Sequence, residues 1–518
     1  MGTIDWAIVA VCMIVLSAFT FRAVRYMKGV SDFLSAGRSA GRFMQCFASA
    51  MSGVGAMSLV AIFEMYYVSG FTPIWWQMMF WPIGMFLTLS GWVYYRFRET
   101  RCMTMAQFFE VRYSKSFRIY AGLITWASGI INFGIFPAVA CRFIVHFCGL
   151  PENFLLMGYN IPTFVPIMVI TLILAVTYTN LGGQVTVILT DCVQGMFCGI
   201  LFLGVAMFLM HKFSWVDITA ALKTAPADKS MLNPANTSGA AFAVWFFLIQ
   251  VFYLFYGTLA WQGSQAYNCS SLNPHEQKMA SVIAVWSGPP KLLVYVLLPI
   301  CAFVFMTLPK YAGESAVAHQ VLSEIDNTVI AKQVTTSVAL GLMFPTGLKG
   351  LFCAAIIFFL ITTQDTYLHS WGSIFIQDVV LPFRKKPFTP KQQIRLLRWS
   401  IFFVAAFAFL FSLFYKQNEF VLMFLAITGA IVAGAGAVIV GGLYFKWGTS
   451  AGAWVAMTVG WVMAVGSIII KQIAPLFKNI TDRGPLLLAM DWLASINGQY
   501  IWFWTMFSCL VSYLLVSL

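Results

Sequence analysis

Long apolar stretches separated by short polar segments make up most of the chain of 518 residues. A helix needs about 20 mostly apolar residues to cross a membrane, because it rises about 1.5 Å per residue through a hydrocarbon core about 30 Å thick. By this criterion the sequence predicts about thirteen spans, at 4–24, 43–70, 73–97, 119–148, 160–180, 184–210, 240–265, 279–307, 348–381, 397–415, 418–445, 450–471 and 499–518. The predicted fold class is therefore an all-α polytopic membrane protein.

The composition agrees with a lipid environment. The chain is 60% hydrophobic and only 9% charged, whereas soluble domains carry roughly 25% charged residues. A net charge of +13 could indicate nucleic-acid binding, but the basic residues lie in short loops between apolar spans, where they set membrane orientation. Most of the 11 cysteines lie inside apolar segments and form no CxxC pair, which is typical of small buried side chains. No catalytic motif such as HExxH is present, so we expect no enzyme and no nucleic-acid partner.

The distribution of lysine and arginine predicts the orientation. With the N-terminus outside, the inner loops hold 19 of these residues and the outer loops hold 10. Inner loops of membrane proteins carry the excess of positive charge. We therefore expect a multi-pass protein of the plasma membrane, with its N-terminus outside and its C-terminus inside.

Two predicted spans contain weak points for a plain helix. Gly53 and Gly55 lie in a run of small residues at the middle of the second span, and the seventh span contains two glycines within Tyr256–Gly263. A helix break at bilayer depth frees backbone carbonyls that need a partner, and in transporters this partner is often a cation. Close helix packing through small residues is the alternative. The two spans are five apart, as two inverted five-helix repeats with broken first helices would require.

Acidic residues inside apolar spans need a partner or a function, because each is costly at the membrane centre. Asp191 is flanked by Thr190 and Gln194, and Asp365 shares one helix face with Thr362, Thr366 and His369 at i, i+3, i+4, i+7 spacing. Carboxylates with hydroxyls form a hard, oxygen-rich set that suits an alkali cation or a proton. A hydrogen-bond network without an ion is the alternative.

Four segments, in this order, resemble motifs of the sodium:solute symporter family. Two lie in the first quarter of the chain and two lie on the spans that carry the buried acids. They are Ser31-Asp-Phe-Leu-Ser-Ala-Gly-Arg-Ser39, Thr104-Met-Ala-Gln-Phe-Phe-Glu-Val-Arg-Tyr113, Gly182-Gly-Gln-Val-Thr-Val-Ile-Leu-Thr-Asp-Cys-Val-Gln194 and Thr362-Thr-Gln-Asp-Thr-Tyr-Leu-His-Ser370. The family's loop after the sixth core helix is largely lost at 267–274.

The resemblance implies a LeuT-like core of two inverted five-helix repeats, with one extra helix before it and two after it. The implied units are an N-terminal helix and inner loop at 1–42, a ten-helix transport core at 43–445 and two C-terminal helices at 446–518. It also implies sodium, Na+, as the coupling ion. The implied common sodium site is Ser52, Gly55, Phe359, Thr362 and Thr363, and the implied second site is Asp191, Thr362, Asp365 and Thr366.

The space between the two broken helices is the expected solute site. The predicted substrate contacts are Met57, Glu64, Arg142, Tyr256, Trp261, Gln262 and Lys291. Two basic residues and the positive end of a half-helix favour a small polar organic solute with a carboxylate. The alternatives are a sugar or polyol substrate, a proton-coupled transporter of the same fold, and a transporter-like sensor. Nothing in the sequence indicates an obligate protein partner.

Overall fold

The computed structural model describes residues 1–53, 55–238, 241–415, 417, 420–474 and 485–518. Residue 240 and residues 418–419, which begin two of the predicted spans, lie outside this part of the chain. The described residues are mainly helical, as predicted.

In the first half of the chain, the described residues form eleven helices and one hairpin. Helices and strands are α1 Thr3–Ala23, α2 Val30–Ser35, α3 Arg42–Ser52, α4 Ala56–Ser69, α5 Thr72–Ser90, α6 Tyr94–Glu99, α7 Met105–Arg112, α8 Lys115–Phe133, α9 Phe136–Cys148, β1 Asn153–Leu156, β2 Tyr159–Pro162, α10 Phe164–Lys212 and α11 Trp215–Leu222. Short 3₁₀ turns lie at Val24–Tyr26, Ala36–Arg38 and Ala227–Lys229.

The second half adds thirteen helices to the described part of the chain. These are α12 Val244–Tyr256, α13 Gln265–Ser270, α14 Pro274–Thr307, α15 Ala312–Ser323, α16 Thr328–Met343, α17 Leu348–Ile374, α18 Leu381–Phe383, α19 Pro390–Phe414, α20 Val421–Ala430, α21 Gly434–Tyr444, α22 Ser450–Ile473, α23 Pro485–Ser495 and α24 Gly498–Ser517. A π-helical segment, Phe375–Val380, joins α17 to α18, and a 3₁₀ turn lies at Pro309–Tyr311.

Eight described helices are long and apolar enough to cross a membrane, and two bent helix pairs add two more spans. α10 has 49 residues and would measure about 73 Å, more than twice the bilayer core. Gly183 interrupts it with φ of 53° and ψ of −144°, a conformation that only glycine adopts readily. α10 therefore consists of two spans, which matches the two spans predicted at 160–180 and 184–210.

The predicted break in the second span is present. α3 ends at Ser52, α4 begins at Ala56, and their axes differ by 61°. The seventh predicted span is also interrupted, because α12 ends at Tyr256 and the next helix, α13, begins only at Gln265. α20 and α21 form a further bent pair, at 55°, which the sequence did not predict.

A β-hairpin replaces the predicted start of the span at 160–180. β1 and β2 pair antiparallel with Leu156 opposite Tyr159, so Met157 and Gly158 form a two-residue turn. Both turn residues have positive φ, 52° and 85°, as a type I′ hairpin requires. The spanning helix consequently begins at Phe164.

α17 lies at the centre of the molecule and is buried along most of its length. α10, α19, α1, α9 and α3 pack around it. Glycines allow close approach at two interfaces nearby: a Cβ at Gly195 of α10 would lie 3.1 Å from the Phe47 carbonyl oxygen of α3, and one at Gly129 of α8 would lie 2.5 Å from the Trp371 ring of α17. This packing holds the acidic spans against the broken span. The division into units at 1–42, 43–445 and 446–518 stays a prediction.

Candidate functional site

The break between α3 and α4 lies directly against α17. A Cβ atom at Gly55 would collide with the hydroxyl of Thr363 and lie 3.0 Å from its methyl group, so only glycine fits there. The Thr363 hydroxyl donates a hydrogen bond to the Phe359 carbonyl at 2.7 Å. Its oxygen lone pairs are therefore left to accept a cation beside Gly55. The structure thus brings together three members of the first predicted sodium site.

Some backbone carbonyls at the break already accept hydrogen bonds within their own helices. The Gly55 carbonyl accepts the Leu59 N–H at 3.0 Å, and the Ser52 hydroxyl donates to the Ser49 carbonyl at 3.0 Å. A carbonyl oxygen has two lone pairs, so the Gly55 oxygen can still take a cation. The last carbonyls of α3, including that of Ser52, lie where a helix leaves such groups without intrahelical partners.

The second predicted sodium site is a hydrogen-bonded cluster of fully buried side chains. The Thr362 hydroxyl donates to Asp191 Oδ1 at 2.5 Å, and the Tyr267 hydroxyl donates to Asp191 Oδ2. The Tyr267 hydroxyl also lies 2.7 Å from the Thr366 hydroxyl. α10, α13 and α17 therefore meet at one carboxylate. Thr362 belongs to this cluster rather than to the Gly55–Thr363 contact.

Asp365 lies one residue before Thr366 and is completely buried. Neither of its carboxylate oxygens accepts a hydrogen bond of normal length and angle from a described residue. A buried carboxylate is strongly unfavourable unless its charge is balanced, and a cation at this position would balance it. Asp191 and Asp365 together thus supply two acids for positive charge on one side of α17.

Tyr267 is a member of this cluster that the sequence did not predict. It lies in the segment where the family's loop motif is largely lost, and nothing in its local pattern relates it to Asp191. Its contact spans 76 residues of sequence and depends on how α13 folds back after the interruption of α12. Only the three-dimensional packing identifies it.

A cavity of about 260 Å³ lies between the broken helices. It is lined by Ser58, Asn132, Phe136, Gln250, Tyr253, Tyr256, Gly257, Ala260, Trp261, Tyr367, Leu422, Leu425, Ala426, Gly429, Val432, Ala433, Gln499, Trp502 and Met506. None of these described residues is a lysine, arginine, aspartate or glutamate. Aliphatic and aromatic side chains make up most of the lining, with a few neutral polar groups among them, as in many small-molecule sites.

Several polar groups of the cavity are fixed by hydrogen bonds. The Tyr256 hydroxyl donates to the Ala433 carbonyl at 2.7 Å, and the Trp261 indole N–H donates to the Tyr367 hydroxyl at 3.3 Å. Tyr367 follows Thr366 directly, so the cavity and the second predicted sodium site use neighbouring residues of α17. A solute in the cavity and a cation at α17 can therefore influence each other through one helix turn.

Two of the seven predicted substrate contacts, Tyr256 and Trp261, line this cavity, and five do not. Met57 is buried in the apolar core, and Glu64 accepts the Val421 N–H at the start of α20 at 3.0 Å. The Arg142 guanidinium lies over the Phe164 ring, 4.9 Å from its centroid.

The other two predicted contacts lie elsewhere. Gln262 lines a separate, smaller cavity, and Lys291 lies near the middle of α14. The solute role of all seven residues stays a prediction.

Broken helices around buried acidic and hydroxyl groups and a central cavity are typical of membrane carriers. The model of the sodium:solute symporter family matches residues 33–460, which is most of the chain. The chain belongs to this family, as the sequence motifs predicted. It is a multi-pass transporter that couples Na+ to the symport of a small solute, rather than an enzyme.

Solved structures support the fold. A Na+-coupled sialic acid symporter, in a substrate-bound outward-open state described as revealing a novel Na+ site, has a TM-score of 0.74 at 16% identity, covering 100% of this chain and 98% of the other. A manganese transporter mutant from Eremococcus coleocola reaches a TM-score of only 0.41 at 13% identity, covering 90% and 95% of the two chains, and adds no argument. A search of curated proteins finds no match.

Filling the central cavity should stop transport. We expect Ala426→Trp to lower solute uptake at least tenfold, because Ala426 lines the cavity and the indole would occupy the solute's volume. Sodium binding, measured separately, should change less than twofold. The matched control is Ala220→Trp on the exposed surface of α11, which should transport normally. Normal uptake by Ala426→Trp would mean that the solute does not bind in this cavity.

Proposed function

We propose that this symporter takes up a small, neutral, polar organic solute, such as a sugar or polyol, using the sodium gradient. The observation that supports the neutral class is the lining of the 260 Å³ cavity, which includes amides and hydroxyls but no charged side chain among the described residues. A carboxylate buried there would lack a cationic partner and would pay a desolvation penalty. Asn132, Gln250 and Gln499 instead offer donors and acceptors to hydroxyl groups.

A carboxylate-bearing solute is the second candidate, and one observation favours it. Ser58, in the first turn of α4, lines the cavity, so the N-terminal end of this half-helix borders the solute volume. Helix N-termini bind anionic groups through free N–H groups and the helix dipole. An acid could therefore bind without a lysine or arginine.

Uptake by the purified protein in proteoliposomes tests both candidates. With an inward sodium gradient we expect accumulation of the labelled solute, and with potassium replacing sodium we expect none. Competitors should include hexoses, polyols, monocarboxylates, amino acids and sialic acid, the last because a related fold transports it. Competition by neutral sugars alone supports the first candidate, and competition by acids alone supports the second. Uptake driven by a proton gradient without sodium would contradict sodium coupling.

We further propose that the protein lies in the plasma membrane with its N-terminus outside and its C-terminus inside, as the positive charge of the inner loops indicates. Lys386 and Lys229 are exposed and lie in loops predicted inside and outside. In intact cells, an impermeant thiol reagent should label Lys229→Cys at least tenfold more than Lys386→Cys. Permeabilisation should make the two equal. Labelling of Lys386→Cys alone in intact cells would reverse the orientation.

A further inference from the structure

A second, very small cavity lies beside α17, on the predicted inner side of the acidic cluster. Its volume is about 20 Å³, enough for one water molecule or one small ion. We call it the inner chamber; apart from Thr104, whose hydroxyl donates to Asp378, its polar lining residues are Gln262, Gln265, His369, Ser370, Ser373 and Gln377. α17 and its π-helical extension contribute four of them, and the segment around α13 contributes the two others.

All six side chains present polar atoms without a hydrogen-bond partner among the described residues. These atoms are Gln262 Oε1 and Nε2, Gln265 Oε1, His369 Nδ1, Ser370 Oγ, Ser373 Oγ and Gln377 Nε2. Every one of these residues is at least nine-tenths buried. Buried polar atoms are nearly always paired, so a group of them around one cavity indicates that the cavity has a polar occupant.

The chemistry of the chamber favours a cation as that occupant. His369 Nε2 lies 2.7 Å from the Phe33 carbonyl and donates to it, so Nδ1 is left with a free lone pair. Together with the two glutamine oxygens and two serine oxygens, it offers five neutral acceptor atoms, against the two amide donor groups of Gln262 and Gln377. The four oxygens are neutral hard ligands, which can replace part of the hydration shell of an alkali cation. Because no carboxylate lines the chamber, binding there is weak enough for the ion to leave.

The chamber continues the polar face of α17. Asp365, His369 and Ser373 follow one another at four-residue intervals, so they lie on one face with a rise of about 6 Å per step. Ser373 is thus two steps inward from the buried acid. The acidic cluster, the inner chamber and the predicted inner end of α17 therefore follow one another along the same face of this helix.

We propose that the inner chamber is a release site, where a sodium ion leaving the Asp191 and Asp365 cluster binds before it reaches the predicted inner side. The proposal rests on sodium-coupled symport. It assigns a role to side chains that do not line the solute cavity and are not members of the two predicted sodium sites.

Comparing two transport modes tests the proposal. Net uptake requires sodium to dissociate inward, whereas exchange of labelled for unlabelled solute, with saturating sodium on both sides, does not. Ser373→Val removes one oxygen and fills the chamber with methyl groups. We expect net uptake to fall at least tenfold and exchange to stay within twofold of the unsubstituted protein. Ser373→Thr, which keeps the oxygen, should retain more net uptake than Ser373→Val.

The control is Ser337→Val on α16, a buried serine whose hydroxyl donates only to its own helix. It should leave the ratio of net uptake to exchange unchanged. If Ser373→Val does not fold, Ser370→Ala is measured in the same way and should lower net uptake at least threefold with exchange preserved. Equal losses in both modes, or no loss in either, would overturn the proposal and leave a structural water in the chamber. Absence of sodium dependence in the unsubstituted protein would instead refute the proposed function.

Discussion

Replacing Thr363 with valine should raise the sodium concentration for half-maximal uptake at least tenfold, which corresponds to about 1.4 kcal/mol. Valine keeps the shape of threonine but removes the hydroxyl oxygen. Because the hydroxyl proton is donated to the Phe359 carbonyl, that oxygen presents its lone pairs to the break beside Gly55. A methyl group cannot replace the hydroxyl oxygen as a ligand of the dehydrated sodium ion, so sodium should bind more weakly. The measurement is the sodium dependence of solute uptake in proteoliposomes.

Thr335→Val is the matched control for this prediction. The Thr335 hydroxyl also donates to a carbonyl four residues earlier in its own helix, at 2.8 Å, but Thr335 is not a member of either predicted sodium site. Sodium dependence should be unchanged in this variant. Gly55→Ala should resemble Thr363→Val, because the added Cβ would displace the same hydroxyl. An unchanged sodium dependence in Thr363→Val would exclude the first cation site.

The break and its threonine could be predicted because both have local signals. Gly53 and Gly55 weaken one span where apolar spans are otherwise helical, and the family motif on α17 aligns Thr362 and Thr363 with hydroxyl ligands. The prediction from the motif places both threonines in the first sodium site. Successive helix residues point about 100° apart, however, and the structure uses them differently. Thr363 contacts Gly55, whereas Thr362 donates to Asp191.

The remaining parts of the site depend on contacts between distant segments. Asp191 and Asp365 could be identified as unusual from burial in apolar spans, but Tyr267 is joined to them only by the folding of α13. Glu64 looked like a solute ligand because it is an acid inside a span. Its carboxylate instead accepts a backbone N–H at the start of α20, and no local pattern could indicate this partner.

From the sequence, an uncharged solute is only the alternative to a carboxylate. Arg142 and Lys291 lie within or at the edge of apolar spans, so they were natural candidates for an anionic solute. Whether such a residue reaches the cavity depends on the rotation of its helix about its own axis. The guanidinium of Arg142 packs on the Phe164 ring instead, and no residue from α14 lines the 260 Å³ cavity among those described.

Asp191→Asn should reduce sodium-driven uptake at least a hundredfold, which corresponds to about 2.7 kcal/mol. The carboxylate accepts hydrogen bonds from Thr362 on one oxygen and from Tyr267 on the other. Asparagine has only one acceptor oxygen, so its amide N–H₂ group must face one of these donors. The variant thus loses a negative charge at the cation cluster and leaves a buried polar pair unsatisfied, and both effects weaken sodium binding. Tyr267→Phe, which removes one hydrogen bond and no charge, should cost less, about tenfold.

Measuring uptake against sodium concentration distinguishes the loss of one sodium site from a general loss of active protein. If two sodium ions drive transport, the sigmoidal sodium dependence of the unsubstituted protein should become hyperbolic in Asp191→Asn, since only the Thr363 site remains. Asp217→Asn on α11 is the matched control. The ammonium of Lys310, 2.9 Å away, lowers the pKa of Asp217, so this carboxylate is charged at neutral pH but lies outside the spans. Removing this charge should change solute uptake less than twofold relative to the unsubstituted protein. A sigmoidal dependence with unchanged midpoint in Asp191→Asn would mean that no coupling ion binds at Asp191.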